Sequence, residues 1–214
     1  MLSGFLFPVR RRVLLRLAAA VALLSAVVAP RTFAQQATSA APKVSDQPLS
    51  AEQLDVYKFI LTSRMNDGPS PLNLVNKTDV FSLEDASDAP ACLKGLDLEP
   101  YHPVVVHRFR PEDLVQLKPV RLRLVERMAQ QKEVEENDPS TSIRRGSSVH
   151  SAVENGFAHG YAWLSEIRFD KSHTHAVVSY GFRCGGLCGN GETVVLEKTN
   201  GEWKFKSQCS GWIS

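Results

Sequence analysis

Residues 161–209 read YAWLSEIRFDKSHTHAVVSYGFRCGGLCGNGETVVLEKTNGEWKFKSQC, and their alternation decides the fold class. Tyr161, Trp163, Ser165, Ile167 and Phe169 alternate with more polar neighbours. After a turn through Asp170-Lys171-Ser172, Ala176, Val178, Tyr180 and Phe182 do so again. Residues two apart share one face of a strand, so each run suits a half-buried strand. Thr193–Glu197 and Trp203–Cys209 supply two more, separated by the turn Lys198-Thr199-Asn200-Gly201. Four strands joined by short turns predict an antiparallel meander.

Upstream the period changes. Ser50 and Gln53 form a capping box, and Leu54, Tyr57, Leu61 and Met65 recur at helical spacing until Asn66-Asp67-Gly68-Pro69 stops them. Leu72–Phe81 alternates as a strand, and Val104–Phe109 is a short apolar run suited to another. Between them, Ala86–Pro103 is a long irregular connection carrying Cys92, for which a sulfur staple is the economical explanation. Arg110-Pro111-Glu112-Asp113 opens a charged, helix-prone segment that Lys118-Pro119 interrupts and that resumes to Asn137, ending in the solvated run Glu133-Val134-Glu135-Glu136. Asp138–Gly146 reads as a polar loop, and Ser147–Phe157 as a short helix with Gly156 and Gly160 at its exit. The expected fold is α+β: an antiparallel C-terminal meander with N-terminal and central helices packed on one of its faces.

The chain has 214 residues, 43% of them apolar, which suits one domain with its own core. Its beginning has the form of an export signal. Arg10, Arg11, Arg12 and Arg16 precede the apolar run Leu17–Ala29, and Thr32-Phe33-Ala34 gives a small-x-small cleavage site. That run is about 13 residues, short of the roughly 20 that a membrane span requires. Arg11-Arg12-Val13-Leu14-Leu15 faintly resembles a twin-arginine signal, and no cysteine adjoins the cleavage site to carry a lipid anchor. The expected organisation is a signal over 1–34, a polar flexible tether over 35–48, and one domain over 49–214, in a periplasmic or secreted protein with no stable membrane span once the signal is cleaved.

Cleavage would also change the charge. All five arginines removed lie in a segment without acids, so 20 basic residues face 23 acidic ones, and the formal charge becomes about −3 instead of +2. The basicity belongs to the signal, which removes the electrostatic case for nucleic acid or anionic lipid as a partner.

An oxidising compartment favours disulfides, and Cys92, Cys184, Cys188 and Cys209 make an even set with three possible pairings. The eight residues CGGLCGNG, 184–191, admit three readings. Three residues between Cys184 and Cys188 permit a zinc knuckle completed by Cys209 and a histidine, but there is no second close cysteine pair. A reactive thiol needs a cation or base beside it, and Arg183 should point to the opposite face of the strand from Cys184. Structural sulfur explains most: Gly185, Gly186, Gly189 and Gly191 offer positive-φ positions for a tight connection, which a disulfide can close.

Residues 164–214 also resemble a family of largely uncharacterised exported bacterial proteins. The shared pattern is a Leu-Ser strand, a Phe-Asp turn, an alternating strand into Cys-Gly-x-Leu-Cys-Gly-x-Gly, and a Gly-x-Trp strand closing with Trp-x-Ser. The resemblance implies export and a disulfide-bearing C-terminal region but no activity, and Cys209 stands outside the pattern.

Other candidate sites are sparse. His173 and His175, two apart, could share a face, yet no carboxylate or third histidine is placed beside them, so they read as surface residues. His150 and Glu154 share a helix face as a surface contact, and His102, His107 and His159 are scattered. Trp203 and Trp212 read as core side chains more than as a platform for a sugar or other flat ligand. There is no nucleophile elbow and no phosphate loop. The expectation is a disulfide-stabilised binding or interaction domain without catalytic or cofactor-binding residues, taking an unknown protein or small ligand. The alternative is a small zinc- or thiol-dependent enzyme using Cys184, Cys188 and Cys209.

Overall fold

Ser50 opens the first long element as its capping box requires: its hydroxyl accepts from Gln53 N at 3.1 Å, and its own N–H donates to Gln53 Oε1 at 2.8 Å. The computed structural model describes residues 42–65, 70–82, 89–100 and 105–214, all within one unit. The elements are β1 (Lys43–Val44), α1 (Ala51–Arg64), β2 (Leu72–Val75), α2 (Ala89–Cys92), β3 (Val105–Val106), α3 (Asp113–Gln116), β4 (Leu122–Val125), α4 (Arg127–Glu136), α5 (Pro139–Arg144), α6 (Val149–His159), β5 (Tyr161–Leu164), β6 (Arg168–Phe169), β7 (His175–Gly185), β8 (Cys188–Thr199) and β9 (Glu202–Ile213).

The fold is α+β. The main sheet runs β4-β2-β5-β7-β8-β9, with β6 beside β7. Strands β5, β7, β8 and β9 pair antiparallel in succession, as the alternation of residues 161–209 implies. The other end of the sheet departs from expectation. Strand β2 pairs parallel with both β4 and β5, so the sheet is mixed, and the chain from β4 to β5 is a crossover carrying α4, α5 and α6.

Several local expectations are corrected. Residues 122–125, expected to be helical, form an edge strand, because Leu122 and Leu124 alternate with Arg121 and Arg123. The expected loop 138–146 contains α5. Asp138 caps it by accepting from Thr141 N, and Pro139 occupies the first turn, where a missing N–H costs nothing. The run Tyr161–Phe169 divides at Ser165-Glu166, where Ser165 bridges to Asp79. Lys43–Val44 pairs parallel with β3, so the tether reading fails for that part of 35–48; residues 35–41 and the whole signal segment 1–34 lie outside the described residues.

Helices pack on both faces of the sheet, not one. Leu54, Tyr57, Ile60 and Leu61 of α1 meet Leu74, Ala162, Val178, Val194 and Leu196. Their immediate neighbours Val75 and Tyr161 must face the other way, and there they meet Val134 of α4. Farther along that second face, Val177 and Val195 are covered by Phe81, Leu93, Leu96 and Leu98. Among the described residues no helix is long and apolar enough to cross a membrane.

Candidate functional site

The loop CGGLCGNG is a hairpin with a clip. Strand β7 ends at Gly185, β8 begins at Cys188, and Gly185 pairs with Cys188 across the two-residue turn Gly186-Leu187. A bulge at Cys184 breaks the register, and its sulfur bonds to Cys188 with the Cα atoms 5.0 Å apart. The second disulfide joins Cys92 to Cys209, Cα atoms 5.2 Å apart, and staples the end of α2 onto β9. The protein is therefore disulfide-stabilised, and no cysteine is free. The trio Cys184, Cys188 and Cys209 is not brought together: two are bonded to each other and the third is buried against Phe81, Val177 and Val195. In this bonded state the three do not form the shared site that a zinc- or thiol-centred alternative requires. Among the described residues no cluster of three His, Cys, Asp or Glu side chains has the arrangement of a metal site.

The glycines of this loop serve close approach and not positive φ, which only Gly95, Gly146 and Gly201 adopt among the described glycines. A Cβ on Gly185 would stand 2.5 Å from Asp138 Oδ2. That carboxylate accepts from Gly186 N at 2.7 Å while its other oxygen caps α5, so one acid fastens the hairpin to the helix. The Gly186 hydrogen bond is the main reason the Asp138 carboxyl titrates below its usual range.

Trp203 is in the core, as expected, but Trp212 is 43% exposed. Trp212 belongs to a cross-strand row, Trp163–Gly181–Gly191–Trp212, running over β5, β7, β8 and β9. A Cβ on Gly181 would lie 2.7 Å from the Trp163 ring, and one on Gly191 2.5 Å from Trp212 Nε1, so each indole covers the glycine beside it.

The histidines separate into different environments. His150 and Glu154 make the expected exposed contact at 3.3 Å, His159 bonds to the Asn155 carbonyl, and His102 lies outside the described residues. His173 and His175 do not converge. His175 is held by Asp170, whose carboxyl burial would raise; hydrogen bonds from Ser172, the His175 N–H and ring, and Thr174 outweigh that and keep it well below the usual range. His173, at φ 54°, reaches Glu52 at 2.6 Å through Nδ1 and Glu99 at 3.2 Å through Nε2. A neutral imidazole has one N–H, so both contacts together require the cation.

The polar seam that sequence reasoning missed starts at Thr78. This buried residue donates to Glu166 Oε1, which also accepts from His107 N at 2.7 Å; Glu166 Oε2 meets His107 Nδ1 at 2.9 Å. The Glu166 carboxylate is the first cause of a raised His107 pKa, against the lowering effect of burial. Next along the chain, Asp79 binds Arg127 Nη2 at 2.5 Å; burial raises its carboxyl more than Arg127 lowers it. The only signal in sequence was Glu166, an acid within an alternating apolar run.

Asp79 and Arg127 stand in a crevice of about 350 Å³ at the carboxyl ends of β2 and β4, where α4 begins. Val44, Val75 and Val106 form an apolar wall, and Lys77, Asp79, Glu126 and Arg127 bring charge of both signs. Carboxyl ends of parallel strands are where open sheets with helices on both faces usually receive ligands. No protein-family model, curated protein or solved structure matches the chain. The class defined is therefore structural: a disulfide-stabilised α+β domain with a mixed sheet and a charged crevice.

Proposed function

We propose that the protein is an exported domain that acts by binding rather than by catalysis and receives a small ligand in the crevice at the carboxyl ends of β2 and β4. The carrying observation is the crevice itself: about 350 Å³, walled by valines and edged by the Asp79–Arg127 pair. Pockets of this size with apolar walls and a few placed polar groups suit small organic ligands. Export is supported by the signal-like segment 1–34, the C-terminal resemblance, and two disulfides that need an oxidising compartment.

The test is a thermal-shift screen of small polar and amphiphilic compounds on protein recovered from the export compartment, with each hit followed for chemical change. A ligand at 100 times its Kd should stabilise the fold by about 2.7 kcal/mol. Val44→Trp, which fills the crevice, should abolish the shift. A hit that is turned over, or one indifferent to Val44→Trp, would overturn the proposal.

A further inference from the structure

We propose that the crevice selects a small zwitterion with an apolar body, an apolar amino acid or short apolar peptide, its carboxylate on Lys77 and its ammonium on Asp79. This rests on the crevice being a binding site. Thr78 is buried and turned inward to Glu166, so on this extended stretch Lys77 and Asp79 both turn outward, and both line the crevice. Two residues of extended chain separate their Cα atoms by about 6.6 Å, a spacing suited to the two ends of an amino acid or dipeptide.

Each group has an open valence. Asp79 accepts from Arg127 Nη2 through Oδ1, while among the described residues its Oδ2 accepts no hydrogen bond and Lys77 makes no ion pair. The start of α4 would otherwise invite a bare anion, but Glu126 already occupies it, accepting from Met128 N at 2.8 Å and Ala129 N at 3.3 Å. A ligand anion there would meet a carboxylate. A ligand with one charge of each sign satisfies Lys77 and Asp79 together, and its apolar body lies on Val44, Val75 and Val106.

Calorimetric titration of the exported protein with leucyl-leucine, its N-acetyl derivative (anion only) and its C-terminal amide (cation only) tests the assignment. The free dipeptide should bind roughly tenfold or more tightly than either derivative, the worth of one charge-assisted contact. Lys77→Met should weaken the dipeptide to the level of the amide and leave the amide unchanged. Equal binding of dipeptide and N-acetyl derivative, an unaffected Lys77→Met variant, or no binding of any of the three would overturn the assignment. If compounds of another class still bind in a Val44→Trp-sensitive way, the selectivity alone fails; if nothing binds there, the binding site fails with it.

Discussion

Removing the two disulfides one at a time should give very different losses, because they close loops of very different length. Cys92 and Cys209 are 117 residues apart, Cys184 and Cys188 only four. Loop-closure entropy in the unfolded chain grows with the logarithm of loop length, so the long link contributes about 5 kcal/mol at 25 °C and the short one about 2 kcal/mol. The native side adds to the difference. Each link has one buried sulfur, Cys209 or Cys184, but the short clip sits at a hairpin tip that pairing through Gly185–Cys188 already closes. The assay is urea unfolding of Cys92→Ala/Cys209→Ala and Cys184→Ala/Cys188→Ala beside the parent, followed by tryptophan fluorescence. The first variant should lose about 3 kcal/mol more than the second and show a larger m-value as its unfolded state expands. Equal losses, or the reverse order, would refute the assignment of stability to the long loop.

Three further outcomes follow from the geometry. The His173 pKa is raised, chiefly by its hydrogen bond to Glu52 and then by Glu99, so its contribution to stability is complete below the usual value of 6.5 and is lost as pH rises through the higher folded value; unfolding midpoints above pH 6.5 should fall in the parent and stay flatter in His173→Gln. Gly191→Val should displace Trp212, costing about 1–3 kcal/mol by overpacking and shifting tryptophan emission to the red. Glu166→Ala takes the carboxylate from the His107 ring and leaves the Thr78 hydroxyl only the His107 carbonyl and the His107 N–H only Thr78 Oγ1 as acceptors, and should cost about 1–3 kcal/mol in the same urea assay, with the His107 pKa falling in an NMR titration.

The meander was legible because each strand from Tyr161 onward carries a period of two and the turns between them are short. Helix α1 was legible through a local signal, the capping box, that needs no tertiary partner. What could not be read is what depends on distant pairing. Leu122–Val125 has strand alternation, but four residues after a proline in a charged segment also suit a helix, and only the parallel neighbour β2 decides between them. Once β4 is a strand, helices fall on both faces and a crevice opens at its carboxyl end. The crevice was invisible for the same reason: it joins residues 42, 44, 75–80, 106 and 126–128, none of which forms a motif. The cysteines were legible as structural sulfur but not as pairs.

The pairing is decided by bulges, which sequence periodicity hides. Strand β9 is the edge of the sheet, and its register against β8 slips twice: Ser210 pairs with Thr193 but Gln208 with Val194, and Ser207 pairs with Val195 but Phe205 with Leu196. Cys209 and Lys206 are the two extra residues, and a bulge lets neighbouring residues share a face. Cys209 thereby joins Val177 and Val195 on the face that carries Cys92, while Lys206 reaches His175 at 2.6 Å and Glu197 at 3.2 Å. Strict alternation from Trp203, which lies in the α1 core, would put Cys209 on that same face, and the slip at Lys206 turns it to the other. The long disulfide and the register of β9 therefore fix each other: a one-residue slip would turn the sulfur away from Cys92, and with Cys92 bonded that slip is closed. An edge strand of 12 residues is otherwise open to foreign pairing; here two bulges, Lys204 and Lys206, and a covalent tie to α2 keep it a boundary.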